Sequence, residues 1–173
     1  GNEQDLKDGG LLDTAGGMVF ADYNQDGWLD IHWRSADYHV DNELFRNNGH
    51  GTFTQVTKQA GISLIGKLLE INSQDSAAWF DFDNDGIIDL LSPTEGDKNT
   101  LFHGNGDGTL TDVTLSRQPP SGMAFLNPGN ANGSCVGDID NDGDMDVYLP
   151  LSDQGNRLIR NDTAQGTASF TDI

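Results

Sequence analysis

Twelve oxygen-bearing side chains recur in this chain at a spacing that can enclose a hard cation. They lie in three nine-residue stretches: DYNQDGWLD from Asp22 to Asp30, DFDNDGIID from Asp81 to Asp89, and DIDNDGDMD from Asp138 to Asp146. Positions 1, 3, 5 and 9 carry Asp22, Asn24, Asp26 and Asp30, then Asp81, Asp83, Asp85 and Asp89, then Asp138, Asp140, Asp142 and Asp146. Carboxylate and amide oxygens, completed by a backbone carbonyl, are the ligands Ca²⁺ takes. Position 7, which is Trp28, Ile87 or Asp144, is expected to supply that carbonyl. Alternate residues converge on one point only if the backbone curls, and the glycine at position 6 (Gly27, Gly86, Gly143) permits the curl through positive φ.

The competing explanation is that Asp, Asn and Gly cluster because turns favour them. That accounts for one copy. Three copies in phase, each crowding like charges that repel unless a cation neutralises them, point to three Ca²⁺ sites. An EF-hand would place a bidentate Glu at position 12, but Trp33, Ser92 and Leu149 stand there, so these are not EF-hands. The first loop, with Asn24 in place of Asp83 and Asp140, offers one carboxylate fewer and is expected to bind Ca²⁺ less strongly.

The elements that position these loops repeat with them. The loops start at residues 22, 81 and 138, and a second motif keeps phase: NELFRNNGHGTFTQVT from Asn42, NTLFHGNGDGTLTDVT from Asn99, and NRLIRNDTAQGTASFTDI from Asn156. An apolar run enters each acidic loop (MVFAD, AAWFD, SCVGD) and a partly alternating strand leaves it (LDIHW, IDLL, MDVYLP). A third strand (ELFRN, TLFHG, RLIRN) turns through a Gly-rich hairpin into a fourth (TFTQVT, TLTDVT, SFTDI), with Asn48-Gly49 and Asn105-Gly106 as turn markers. The third copy lacks that pair, so its outer hairpin is less sharply defined. The reading is all-β: a β-propeller-type repeat array of three four-stranded antiparallel blades with calcium loops, at residues 1–57, 58–114 and 115–173 in one continuous repeat domain.

The D-x-[DN]-x-D-G-x-x-D loop followed by N-x-L-[FI]-x-N-x-G-x-G-T-F-T-D-V-T resembles the FG-GAP/VCBS repeat of integrin α propellers and of many secreted microbial proteins. The resemblance covers nearly the whole chain. It implies a calcium-bearing propeller blade with the ion between the first two strands. It implies no particular ligand, because such repeats serve adhesion receptors, lectins and polysaccharide-processing enzymes alike.

Three blades fall short of the four to eight that usually close a ring. Ile173 aligns with Val56 and Val113 and Gly1 with Ala60, so another repeat fits in phase at either end. The expected partners are therefore further propeller blades, from identical chains or from a longer polypeptide, touching faces that include Phe20 and Phe170. Identical copies joined head to tail would form an extracellular ring or filament. Glycans and cell-surface proteins are the other partner classes. Net charge is −19 from 28 acidic and 9 basic residues, and 11 of the acids are the proposed ligands. Three Ca²⁺ would leave −13, which disfavours nucleic acid and anionic membranes as partners. No apolar run reaches 18 residues, so no membrane insertion is expected.

The remaining residues read as follows. Cys135, the single cysteine, lies in an apolar strand and is expected to be a buried structural thiol. Asn132-Gly133-Ser134 and Asn161-Asp162-Thr163 match the N-glycosylation pattern, with Asn161 the better candidate because Asn132 abuts a strand. His103 stands where the other copies have Arg46 and Arg160, and is expected to offset the acidic surface. Phe20, Trp79, Phe45, Phe102, Phe53 and Phe170 are expected in packing between blades. Tyr23, Trp28, Trp33 and Tyr38 are confined to the first repeat and mark the place for a sugar platform if one exists. No catalytic arrangement of Ser, His and Asp recurs, so no enzyme is expected. The expectation is an extracellular, secreted or cell-surface calcium-binding module with a structural or adhesive role. A lectin or an accessory domain of a polysaccharide-active enzyme is the alternative.

Overall fold

The computed structural model of the chain describes residues 17–34, 42–63, 77–93, 99–114, 130–164 and 168–173. Among these residues twelve strands alternate with turns. The first sheet holds β1 (Met18–Ala21), β2 (Asp30–Trp33), β3 (Glu43–Asn47) and β4 (Phe53–Gln55). The second holds β5 (Ala78–Phe80), β6 (Asp89–Ser92), β7 (Thr100–Gly104) and β8 (Leu110–Asp112). The third holds β9 (Cys135–Gly137), β10 (Asp146–Leu149), β11 (Arg157–Asn161) and β12 (Phe170–Asp172). Each sheet follows chain order, every neighbouring pair being antiparallel.

Register carries the repeat into three dimensions. Ile31 opposes Phe45, Leu90 opposes Phe102 and Val147 opposes Ile159, so equivalent residues face the same way in every sheet. The fourth strand closes identically each time: Val56 N–H donates to Leu44 O at 2.8 Å, Val113 to Leu101 O at 2.9 Å and Ile173 to Leu158 O at 2.9 Å. Ile173 thus does correspond to Val56 and Val113, despite the longer third hairpin, whose residues 165–167 lie outside the described set.

The sheets stack in series through two apolar cores. Leu44, Val56, Leu90 and Phe102 lie in the core shared by the first and second sheets. Leu91, Leu101, Val147, Ile159 and Phe170 lie in the core shared by the second and third. The second sheet is therefore covered on both faces, and each central residue of β6 is buried. The outer sheets are not so covered among the described residues. Phe20 is 58 % exposed on the first, and Tyr148 is 40 % exposed on the third.

Several expectations are corrected by this packing. Phe20 is not packed between the described sheets, while Phe170 is 4 % exposed inside the core and so lies on no open face. The reason is direction: β12 presents Phe170 to the second sheet, and β1 presents Phe20 away from it. Cys135 is exposed rather than buried. It opposes Tyr148 on a face of β9 that none of the described sheets covers, whereas the equivalent Ala78 is buried against the third sheet. Asn161 is 0 % exposed, its Nδ2 donating to Phe82 O at 3.2 Å, so the folded chain offers no acceptor there; Asn132 is exposed. Tyr23 and Trp33 are buried and Tyr38 lies outside the described residues, which leaves Trp28 as the exposed aromatic of that supposed platform.

His32 sits wholly buried between the first two sheets, edge-on to Trp79 at 5.7 Å between ring centroids. Burial, and then the charge of Arg34, pull its pKa from 6.5 to about 3. The unfolded chain takes up a proton below pH 6.5 that the folded chain refuses, so stability is lost as pH falls through that window. The slope is about 1.4 kcal/mol per pH unit, or roughly 2 kcal/mol between pH 6.5 and 5. His32→Leu should flatten the pH dependence of denaturant midpoints by that amount. Parallel curves for the two proteins would remove His32 from the account. Among the described residues, no helix is long and apolar enough to cross a membrane.

Candidate metal centre

Each acidic loop joins the first strand of a sheet to the second, and the three are built alike. The Asp at position 1 accepts two backbone N–H groups from the curl: Asp26 and Gly27 donate to Asp22, Asp85 and Gly86 to Asp81, and Asp142 and Gly143 to Asp138, all within 2.8–3.2 Å. The Asp at position 5 accepts the N–H of position 7, at 3.0 Å for Asp26, 2.8 Å for Asp85 and 2.9 Å for Asp142. Gly27, Gly86 and Gly143 have φ of 88°, 87° and 100°, as the curl requires. The residues at position 4, Gln25, Asn84 and Asn141, share a left-handed conformation with φ of 57°, 61° and 61°, which the spacing did not foretell.

The Asp at position 9 does more than close the loop. One oxygen of Asp89 accepts Phe82 N–H at 2.9 Å and the other accepts Gly104 N–H at 2.7 Å, tying the loop to β7. Asp30 does the same with Tyr23 and Asn47, and Asp146 with Ile139 and Asn161. All three are at most 1 % exposed. Burial raises the pKa of Asp30, and raises that of Asp89 to about 7 against the two N–H donors that lower it. Burial followed by the Asp85 charge raises Asp83, and burial followed by the Asp142 charge raises Asp140. In each case burial disfavours the charged carboxylate relative to water.

Candidate ligand atoms do converge. Those of Asp81, Asp83 and Asp89 lie within 4.8 Å of one another, as do those of Asp138, Asp140 and Asp146. Asp83 Oδ1 is closed to solvent and has no hydrogen-bond partner, an oxygen that a cation would satisfy. In the first loop Asn24 Nδ2 instead donates to Asp26 Oδ2 at 3.0 Å. The side-chain donors at positions 1, 3, 5 and 9 are all oxygens, which fits a hard divalent ion.

The loops are also linked to each other. Gln25 Nε2 donates to Gly86 O at 2.6 Å, and Asn84 Nδ2 donates to Asp144 Oδ1 at 2.8 Å. Position 4 of one loop therefore reaches the following loop. Sequence reasoning missed this ladder and the structural duty of position 9. The matched polarity of Gln25, Asn84 and Asn141 was the available clue.

A family model described as an FG-GAP-like repeat matches residues 22–92 and again residues 81–149, together well over half of the chain. No curated protein matches the chain.

Proposed function

The chain belongs to the FG-GAP-like repeat family, and we propose that it is an extracellular calcium-binding β-propeller module with a structural or adhesive role. The observation that carries this reading is the threefold recurrence of one loop geometry, with oxygens converging from positions 1, 3 and 9 in the second and third copies. Each ion would neutralise its loop and so couple metal binding to folding. Three Ca²⁺ belong to the reading, held by the side chains at positions 1, 3, 5 and 9 and the carbonyl at position 7.

Further blades are part of the proposal. Cys135, Tyr148 and Ile173 are exposed in the third sheet, while Ala78 and Leu91, which correspond to the first two, are buried in the second. Asn141 repeats the left-handed conformation from which Gln25 and Asn84 reach the next loop. These features suit a following blade, from an identical chain or a longer polypeptide.

Native mass spectrometry during a calcium titration tests both parts. Three ions should add, the first loop filling last, and Asn24→Asp should advance its filling. The mass should show copies associated once calcium is bound. A monomer that takes up no calcium would refute the reading.

A further inference from the structure

The second loop differs from its neighbours in what stands over it. Arg46 and Arg160 occupy the fourth position after the Asn that opens the motif in the first and third sheets, and His103 occupies it in the second. Arg160 turns its Nε to Asp162 Oδ1 at 2.7 Å and stays 4.0 Å from Asp140. A guanidinium has no lone pair to offer a metal, whereas an imidazole has one.

The imidazole is aimed into the loop. His103 Nδ1 lies 3.2 Å from Asp89 Oδ1 and 3.6 Å from Asp83 Oδ2, and Nε2 lies 3.8 Å from Asp85 Oδ2. These separations are within ion-pair range, yet Nδ1 makes no hydrogen bond and is closed to solvent, as is Asp83 Oδ1. The ring stands at 76° to Phe82, 6.0 Å between centroids, which limits its freedom to swing away. Two dry polar atoms on facing side chains, neither bonded, are what an ion between them would satisfy. Ligand atoms of Asp83, Asp85 and His103 all lie within 4.8 Å of one another.

We propose that the second loop, read as a cation site above, also accepts a first-row transition ion such as Co²⁺ or Zn²⁺ through His103, Asp83 and Asp85. Imidazole suits such ions and is not a ligand of Ca²⁺. Asp83 belongs to this set and to the all-oxygen set with Asp81 and Asp89, so one loop holds one ion at a time and the two metals compete. The first and third loops, with arginine in the same place, remain oxygen-only.

Co²⁺ is the probe, added to the calcium-free full chain. One equivalent should give paramagnetically shifted imidazole ring resonances and weaken calcium uptake at a single loop of three. His103→Arg and His103→Gln should both abolish the shifted resonances. They should also weaken Co²⁺ binding by roughly 100-fold, at the upper end of the 10–100-fold that loss of an outer-shell partner costs. A melting transition confirms that each variant is folded. Shifted imidazole signals that persist in both variants, or that never appear in the parent protein, would overturn the proposal. Calcium titration of the same proteins reports on the underlying reading by itself: loss of calcium binding with the cobalt signal intact sinks the calcium loops and leaves the His103 site standing.

Discussion

Chelating calcium is expected to lower the melting temperature of this chain by on the order of 10–30 °C. Extracellular modules bind Ca²⁺ with Kd of about 10⁻⁴ to 10⁻³ M. At ~10 mM calcium each occupied loop then contributes roughly 1.4 to 2.7 kcal/mol, or about 4 to 8 kcal/mol for three. For a chain of this size each kcal/mol moves the transition by about 2–4 °C. The direction follows from the loops themselves. In the second and third, three carboxylates converge within 4.8 Å, and their mutual repulsion opposes folding until a divalent ion offsets it. Scanning calorimetry in calcium and in chelator measures the difference. Coincident transitions would mean that the backbone hydrogen bonds of Asp81, Asp85 and their counterparts hold the loops unaided.

Gly104→Ala is expected to destabilise the chain by on the order of 3 kcal/mol and to remove one calcium ion of three. A Cβ built on Gly104 would meet Ile88 O at 2.5 Å and Ile87 Cγ2 at 2.8 Å. The carbonyl is backbone and cannot step aside without shifting the second loop, whose position 7 is Ile87. The same backbone N–H holds Asp89 Oδ1 at 2.7 Å, so the shift also loosens the buried carboxylate. The other sheets carry Asn47 and Asn161 here, and Asn47 Nδ2 donates to Leu29 O at 3.0 Å, so their loops stand off far enough for a side chain. Gly137→Ala is the control, since its Cβ would meet nothing within 4 Å. Denaturant melts and calcium counting should separate the two variants; equal behaviour would show that the second loop yields at little cost.

The arrangement of the sheets explains why the Gly104 effect centres on the second sheet. It is packed on both faces, with Leu90, Leu91, Leu101 and Phe102 all 0 % exposed. A shift there meets close-packed neighbours on either side, and interiors at that density transmit strain rather than absorb it.

What the sequence determined by itself was everything local and periodic. Carboxylates on alternate residues with Gly27, Gly86 or Gly143 at position 6 specify a curled loop, because only a residue tolerant of positive φ lets those side chains converge. Strands of period two between turn markers specify four per repeat, and the shared phase of Phe45, Phe102 and Ile159 specifies that the repeats stack alike. The tertiary structure alone decided which of two chemically similar residues is covered. Phe20 and Phe170 read the same along the chain, yet one is exposed and the other enclosed, because a strand's face is inside only when a neighbouring sheet stands against it. Cys135 and Asn161 were misplaced for the same reason. Asp30, Asp89 and Asp146 looked like simple ligands, but their buried oxygens also clamp backbone N–H groups up to 17 residues away. Such partners are set by register between strands, which spacing within one loop does not encode.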